Sequence, residues 1–251
     1  MSLQKVLVLT PVKDAETHLA AYVAGLERLS YPREALSLGI LEGDSSDGTA
    51  DAIGALAPRF AARFARFCFR QKGFGFRMPA SVPRWAPAYQ RQRRSVLARS
   101  RNHLLMRALR EEDWVLWLDV DVVGFPAELI ETLLSYDRDI LHPHCVREAG
   151  GETFDLNAWA DKGRLRMADL RGRGGAVRLD AVGGTVLLVR ADIHRDGLIF
   201  PPFPYGVENI HIRPVHPVWG RGEIETEGLG IMARDMGIQC WGLPDYEVIH
   251  A

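Results

Sequence analysis

Two aspartates separated by one residue, Asp119 and Asp121, are the strongest chemical signal in this 251-residue sequence. They follow the apolar run Trp114–Leu118, a pattern typical of a buried strand. Because residues two apart in a strand point to the same side, both carboxylates should leave the sheet edge together. Two carboxylates held that close repel each other unless a cation lies beside them, and their oxygens suit Mg²⁺ or Mn²⁺. A solvated turn after a strand is the simpler interpretation.

A second polar cluster occupies residues 42–49, directly after a predicted strand over 36–41. Carboxylates at the end of a strand can accept hydrogen bonds from a base or a ribose, and glycines let the backbone approach a ligand. Asp47 or Thr49 could instead cap the helix that follows, and the loop taken alone favours this structural role.

The order of the predicted elements indicates an α/β fold with a mostly parallel central sheet flanked by helices. Strands are predicted over 5–10, 36–41, 64–69, 114–118, 139–141, 181–189 and 246–250, and helices over 18–29, 90–109 and 126–134, after residue 49 and after residue 225. Pro11 is expected to end the first strand. Residues 71–88, rich in Gly, Pro and aromatic side chains, predict a long loop. No repeat or linker interrupts the chain, which predicts a single domain over 1–251.

The distribution of charge is more informative than the formal net charge of −1. The segment 59–110 contains 14 basic residues and no acidic one. Such a segment in an otherwise acidic chain suggests an anionic ligand or partner, although solvated helix faces explain it equally well. Arginines of the predicted helix over 90–109, such as Arg94, Arg99 and Arg101, could bind phosphates through charge-assisted hydrogen bonds. Alternatively, the segment could form a nucleic-acid-binding module, although it contains no known binding motif.

Cysteine usage and targeting signals predict a cytoplasmic location. Three widely spaced cysteines without a CxxC pair indicate reduced thiols rather than disulfides or a zinc site. The first residues lack the pattern of a signal peptide. The longest apolar runs, 6–9 and 186–189, are far shorter than the ~20 residues of a membrane-spanning helix, so no transmembrane segment is expected. The sequence leaves the oligomeric state open.

Several motifs, taken in order, resemble a known enzyme family. The segments TPVKDAE, YPREALSLGILEGDSSDGT and ARSRNHLLMRAL…WVLWLDVDV are similar to those of nucleotide-sugar-dependent glycosyltransferases of the GT-A type. Downstream, the segments VGGTVLLVRADIHRDGLIFPPFPYG, IETEGLGIMARDMG and GLPDYEVIH resemble the fungal Golgi mannan-polymerase α-mannosyltransferases, glycosyltransferase family 62. The resemblance runs from about residue 5 to residue 250.

This resemblance implies a GT-A, Rossmann-like fold with a nucleotide-binding half over 1–122 and an acceptor-side half over 123–251. It implies Mn²⁺ or Mg²⁺, GDP-mannose as the donor, retention of the anomeric configuration and a saccharide-type acceptor, with no nucleic acid as a partner. The implied metal ligands are Asp119, Asp121 and His250. The residues implied around the donor are Thr10, Pro11, Glu42, Asp44, Arg99, Asp119, Gly183 and Gly184. The acidic residues implied near the sugar and acceptor are Glu223, Glu225 and Glu227. The Golgi enzymes have an N-terminal membrane anchor that this sequence lacks, so the identity of their acceptor is not carried over.

The chemistry of the transfer narrows the roles of these carboxylates. A metal at Asp119 and Asp121 would neutralise charge that develops on the leaving diphosphate, which makes Asp121 a catalytic candidate. Retention requires either a carboxylate nucleophile, with Glu225 and Glu227 as candidates, or attack from the departing side, and the sequence leaves both routes open. Both glutamates could also merely stabilise the start of a helix. A catalytically silent glycosyltransferase-like subunit is the other open alternative.

Overall fold

The computed structural model describes residues 3–79, 81–83, 86–207 and 221–251. In these ranges the helices are α1 Leu19–Arg28, α2 Thr49–Arg63, α3 Pro87–Ala108, α4 Leu129–Ser135, α5 Ala191–Arg195 and α6 Glu225–Asp235. The strands are β1 Val6–Val12, β2 Leu36–Glu42, β3 Arg66–Gln71, β4 Trp114–Leu118, β5 Val122–Gly124, β6 Ile140–Val146, β7 Trp159–Ala160, β8 Leu165–Arg166, β9 Val177–Leu179, β10 Val186–Arg190, β11 Tyr205–Val207, β12 Arg221–Glu223 and β13 Cys240–His250.

The central sheet joins nine of the described strands in the spatial order β3-β2-β1-β4-β10-β6-β13-β5, with β9 also paired to β13. β1 lies parallel to β2 and β4, and β2 lies parallel to β3. β10 is antiparallel to both β4 and β6, so β6 and its parallel neighbour β13 point the same way as β4. Six of the nine strands (β1, β2, β3, β4, β6 and β13) therefore share one direction, which confirms the mostly parallel sheet.

Helices cover both faces of this sheet, because alternate residues of a buried strand point to opposite sides. On β1, Val6 and Val8 belong to a core shared with α1, α2 and α4, whereas Leu7 and Leu9 belong to a second core shared with α3, α5 and α6. β4, between them, is buried along its whole length. The carboxyl ends of β1, β2 and β4 consequently meet at one edge of a sheet that is covered on both faces.

The first strand is longer than the sequence predicts, because β1 continues through Pro11 to Val12. Its pairing with β4 stops at Leu9, while its pairing with β2 extends to Val12. The Val12 carbonyl accepts a hydrogen bond from Gly43 on the β2 side. Pro11, one residue earlier, faces the opposite side, where the ladder has already ended and a missing N–H breaks no pairing.

The long loop predicted over 71–88 is confirmed, since the described residues between β3 and α3 form no helix or strand. α3 begins three residues earlier than predicted, at Pro87, a position where the helix needs no backbone donor. This 22-residue helix lies against β1 and β2 and carries most of the arginines of the cationic segment.

Strands from both halves of the chain build the same sheet. The predicted boundary after residue 122 falls inside β5, and β6, β10 and β13 extend the sheet begun by β1 to β4. A single domain with a nucleotide-binding half and an acceptor-side half stays a prediction. None of the helices in the described part of the chain combines the length and hydropathy needed to cross a membrane.

Candidate active site

A cleft of about 530 Å³ opens where β1, β2 and β4 end. It is lined by residues 11–15 after β1, by Gly43, Asp44 and Ser46 after β2, by one side of α3, and by residues 119–121 after β4. Phe74, Phe76, Arg77 and Met78 from the long loop complete its wall. The volume lies within the range of pockets that bind small molecules and cofactors. The two polar clusters of the sequence thus meet in one concave site.

Asp119 and Asp121 both line this cleft. The Asp119 backbone N–H donates to the Thr185 carbonyl at 2.8 Å, and its carboxylate accepts a hydrogen bond from Arg101 at 3.0 Å while its side chain stays 25 % exposed. Burial raises the pKa of Asp119 to about 7; the charge of Arg101 opposes this, and the neighbouring carboxylates of Asp121 and Glu225 add to it. A divalent cation would compensate this surplus of negative charge.

His250 lies against Asp121 because β13 pairs with β5 at this edge, with His250 opposite Val122. Its Nε2 atom is 3.2 Å from Asp121 Oδ1, and its ring stacks on Phe154 with 3.5 Å between the ring centroids. Burial lowers the pKa of His250, but the hydrogen bond and charge of Asp121 outweigh it, so that the pKa is raised. Two of the three predicted metal ligands are therefore in direct contact.

The predicted metal ligands fit a divalent cation by their chemistry. They offer carboxylate oxygens and one imidazole nitrogen, and the Nδ1 of His250 donates to the Ala251 carbonyl at 2.7 Å, which leaves Nε2 to face Asp121. Within the described ranges, no three His, Cys, Asp or Glu side chains already converge as a complete metal site. The donor set suits an ion that takes its remaining ligands from phosphate and water. The assignment of Asp119, Asp121 and His250 as metal ligands stays a prediction.

Thr10 and Glu42, both predicted near the nucleotide, lie behind the lining of the cleft. Thr10 is fully buried, with its hydroxyl 2.6 Å from the Tyr22 hydroxyl and donating to the Leu118 carbonyl at 2.7 Å. Glu42 is 7 % exposed and accepts a hydrogen bond from the Ser45 backbone at 2.9 Å. These contacts hold the ends of β1 and β2 in place, and a direct role of either residue in donor binding stays a prediction.

Asp44 lines the cleft together with Pro11, and it also organises the neighbouring wall. With a φ of 59°, it directs its carboxylate to the backbone N–H groups of Phe74 and Gly75, at 2.6 and 3.3 Å. Burial raises the pKa of Asp44, but these backbone hydrogen bonds outweigh it and lower the pKa. Lys13 donates to the Asp44 carbonyl. The turns after β1 and β2 and the long loop are thereby joined around one aspartate.

Arg101 connects the cleft to the acceptor-side half. It is 1 % exposed, and its guanidinium donates to Asp119 at 3.0 Å, to Glu225 at 3.2 Å and to the Gly184 carbonyl at 3.2 Å. The guanidinium also lies over the Trp117 ring, 5.5 Å from its centroid. A planar group with several donors in a fixed fork suits this multiple contact. Arg101 is therefore engaged by the chain itself rather than available to phosphate.

Gly183 and Gly184 lie behind Asp119 and outside the described lining of the cleft. The Asp155 carboxylate, 6 % exposed, accepts hydrogen bonds from the Gly184 N–H at 2.9 Å and from the Thr185 N–H and hydroxyl at 3.3 and 3.1 Å. A Cβ atom at Gly183 would lie 2.0 Å from Asp155, and one at Gly184 would lie 2.7 Å from the Arg101 guanidinium. Close packing therefore requires both glycines, and their predicted contact with the donor stays a prediction.

The acidic residues at the start of α6 pair with arginines of α3. Glu225 has a φ of 63° and is 3 % exposed. Glu227 accepts hydrogen bonds from Arg94 at 2.7 Å and from the Trp159 indole at 3.0 Å. Burial and the charge of Glu227 raise the pKa of Glu223 to about 7, opposed by Arg94. Within the described chain none of the three glutamates lines the cleft, and their catalytic roles stay predictions.

The cationic segment 59–110 is spread over α2, β3, the long loop and α3 rather than forming a separate module. Several of its arginines pair with carboxylates of this chain. These pairs are Arg59–Glu27, Arg66–Glu112, Arg94–Glu227 and Arg101–Asp119. Arg99 lies over the Phe74 ring, 5.3 Å from its centroid, whereas Arg77 and Arg93 line the cleft. The segment thus delivers positive charge to the cleft.

Asp155 is a site residue that sequence reasoning misses. It supports the turn that holds both Asp119 and Arg101, yet it lies about thirty residues before Thr185 in a stretch with no regular hydrophobic pattern. Arg77 and Arg93 are missed individually, because the surplus of arginine in their segment gives no reason to prefer one over another.

The fold is similar to that of solved glycosyltransferases. A mannosyltransferase from Pyrobaculum calidifontis in complex with GDP-Man and Mn²⁺ aligns with a TM-score of 0.61 and 14 % identity, covering 100 % of this chain and 58 % of that chain. S. aureus TarS in complex with UDP aligns with a TM-score of 0.59 and 14 % identity, covering 99 % and 60 % of the two chains. At this level of identity the likeness concerns the fold alone, and it confirms the predicted GT-A fold.

Curated relatives are subunits of fungal mannan polymerase complexes. The anp1 subunit of Schizosaccharomyces pombe is 28 % identical over 98 % of this chain and 64 % of its own length, and the mnn9 subunit of the same organism is 30 % identical over 98 % and 80 %. The ANP1 subunit of Saccharomyces cerevisiae is 28 % identical over 98 % and 55 %. The chain thus spans between about half and four fifths of these relatives, and the resemblance to the mannan-polymerase family is confirmed.

The predicted cytoplasmic location is wrong, because the mannan polymerase complexes to which the relatives belong act in the Golgi lumen. The prediction depends on the unpaired cysteines. Cys68, Cys145 and Cys240 are free and buried. Packing shields such thiols from oxidants, so their reduced state does not identify the compartment.

The match to the family extends over most of the cleft-forming chain. The sequence model of the Anp1 family matches residues 2–169 and 164–204, which include the turns after β1, β2 and β4, all of α3 and the turn at Gly183. This chain therefore belongs to the Anp1 family.

Proposed function

We propose that this chain is a metal-dependent glycosyltransferase that transfers mannose from GDP-mannose to a saccharide-type acceptor with retention. The observation that carries the proposal is the cleft in which Asp119 and Asp121 share one wall system with Lys13, Arg77 and Arg93. A nucleoside diphosphate and its cation require this combination of acidic and basic groups. The mannan polymerase relatives, and the similar fold of a mannosyltransferase solved with GDP-Man and Mn²⁺, support the choice of sugar, donor and metal.

The proposal divides the cleft into two working parts. Asp119, Asp121 and His250 would hold the cation, which when bound supplies Lewis-acid stabilisation of the departing diphosphate. Lys13 and Arg93 bind phosphate oxygens and offset the charge that develops there.

The proposal favours attack from the departing side as the route to retention. Glu225 and Glu227 are both occupied by arginines of α3, which leaves neither carboxylate facing the described cleft. In that route a new bond forms between the acceptor hydroxyl oxygen and the sugar carbon as the bond to the diphosphate oxygen breaks. The acceptor proton then passes to the departing diphosphate oxygen, so no protein nucleophile is needed.

A donor screen tests this function directly. GDP-mannose, UDP-glucose and UDP-GlcNAc are incubated with the chain, with and without Mn²⁺, and release of the nucleoside diphosphate is measured. We expect turnover of GDP-mannose that needs Mn²⁺, lost at least ~10²-fold in Asp121→Asn. The matched control Asp192→Asn changes an exposed aspartate that pairs only locally with Arg195. No turnover of any donor, together with no effect of GDP and Mn²⁺ on the melting temperature, would refute the proposal.

A second candidate, a catalytically silent glycosyltransferase-like subunit, is favoured by the relatives' names, which are those of subunits of larger complexes. It predicts that the isolated chain binds GDP and Mn²⁺ without turnover. It also predicts that Asp121→Asn leaves the biological role of the chain intact.

A further inference from the structure

We propose that Arg101 is a positioning residue that orients Asp119 toward the cleft and couples it to the start of α6. The inference rests on the proposed function, since it assigns a role within the same site. Arg101 joins segments far apart in the chain: its partners Asp119, Gly184 and Glu225 lie 18, 83 and 124 residues away.

The orientation of Asp119 follows from the way Arg101 contacts it. Arg101 Nη2 donates to one oxygen, Oδ1, and the Asp119 backbone N–H is held by Thr185, so both ends of the residue are fixed. The side chain is still 25 % exposed and lines the cleft, which leaves its second oxygen for a ligand there. A carboxylate held in this way meets a cation without losing further side-chain freedom.

The packing around Arg101 leaves its guanidinium a single place. Gly184 approaches so closely that a Cβ atom there would lie 2.7 Å from Nη2 and 2.9 Å from Thr226. The Trp117 and Phe200 rings flank the guanidinium, with centroids 5.5 and 5.3 Å away. A lysine could reach only one of the three acceptors, because its ammonium is a point charge rather than a planar fork.

Glu225 acts in this arrangement as the counter-ion of Arg101 rather than as a nucleophile. Its Oε1 atom is 3.2 Å from Arg101 Nε, its side chain is 4 % exposed, and its backbone N–H donates to Pro201 at 2.9 Å. A non-glycine residue at a φ of 63° persists where its surroundings fix it on several sides. A movement of α6 therefore reaches Asp119 through a single side chain.

The experiment compares wild type, Arg101→Lys, Glu225→Gln and the matched control Arg107→Lys, which changes an exposed arginine of the same helix. The first readout is the Mn²⁺ concentration that gives half of the GDP-induced rise in melting temperature. We expect Arg101→Lys to raise it about tenfold, since hydrogen bonds to a charged acceptor are lost. The second readout is turnover, where we expect kcat to fall more than KM for the donor rises.

Glu225→Gln keeps a hydrogen-bond acceptor for Arg101 and removes the charge, so we expect turnover to fall only about tenfold. Loss of a nucleophile would instead cost on the order of 10⁴-fold or more, and that result would overturn the assignment of Glu225. If Arg101→Lys lowers the melting temperature but keeps the wild-type Mn²⁺ dependence, Arg101 is only structural and the proposal fails.

The outcomes separate this proposal from the proposed function. A wild type that binds GDP and Mn²⁺ without turnover refutes the activity, while the Mn²⁺ titration still decides the role of Arg101. If Arg101→Lys does not fold, the Mn²⁺ dependence and turnover of Glu225→Gln decide it, because a wild-type Mn²⁺ dependence in that variant contradicts the coupling. A wild type that binds neither GDP nor Mn²⁺ refutes both proposals.

Discussion

Replacing Gly183 by alanine tests how the turn beneath the cleft is supported. A Cβ atom at this position would lie 2.0 Å from an oxygen of the buried Asp155 and 2.3 Å from its carboxyl carbon. Asp155 cannot remain in place, and it is the acceptor that holds the Gly184 and Thr185 backbone. The substitution therefore acts on the turn that supports Arg101 and Asp119 without changing a charged residue.

Two contributions set the expected magnitude. Forcing a methyl group into a filled interior costs ~1–3 kcal/mol of unfolding free energy. A displaced Asp155 also loses hydrogen bonds from Gly184 and Thr185, each worth ~1.5–3 kcal/mol because the acceptor is charged. One movement relieves the overlap and breaks the bonds, so the costs overlap and we expect a total loss of about 3–5 kcal/mol. That is a large fraction of the ~5–15 kcal/mol typical of a folded protein.

Urea denaturation followed by circular dichroism measures this loss. The matched control is Gly54→Ala in α2, where a Cβ atom meets nothing within 4 Å. The same substitution there should stabilise the protein by ~0.5–1 kcal/mol, because alanine favours a helix over glycine. A Gly183→Ala variant within about 1 kcal/mol of wild type would refute the close packing of Asp155 against this turn.

Three further outcomes are expected. Burial lowers the pKa of His194 to about 4, so its folded form is neutral; as the pH falls from about 6.5 towards 4 the unfolded state gains the proton, and this residue should reduce the unfolding free energy by up to ~1.4 kcal/mol per pH unit. The pH dependence of denaturation should be flatter in His194→Gln, and an equal slope would contradict the buried neutral imidazole. Asp44→Ala releases two backbone N–H groups of the long loop, so trypsin should cleave that loop faster and GDP should bind about tenfold more weakly; unchanged cleavage and binding would argue against this anchor. The three cysteines are buried, so a thiol reagent should label the native protein slowly and all three thiols in urea, and rapid native labelling would contradict their burial.

Local patterns were sufficient to locate the strand ends around the cleft. The apolar run before Asp119 predicts a buried strand, and the spacing of Asp119 and Asp121 predicts that both lie at its end. Pro11 was misleading for a local reason, because a proline interrupts a strand only where its N–H would join a ladder, and that depends on where the neighbouring strand stops.

Contacts between distant segments could not be predicted in the same way. The arginines of α3 share one composition, yet Arg101 is buried against two carboxylates while Arg93 lines the cleft. Which of them turns inward depends on the packing of β10 and α6 against that helix. Asp155 has no neighbouring motif at all, since its partners lie about thirty residues away.

The sequence by itself determined the α/β class, the family and the edge of the sheet where the acidic residues lie, because strand and helix periodicity and the two-residue spacing act over a few residues. Only the tertiary structure decided which charged groups face the cleft and which neutralise one another in the interior. Burial and pairing depend on segments that come together only after the sheet has formed, and no spacing along the chain records them.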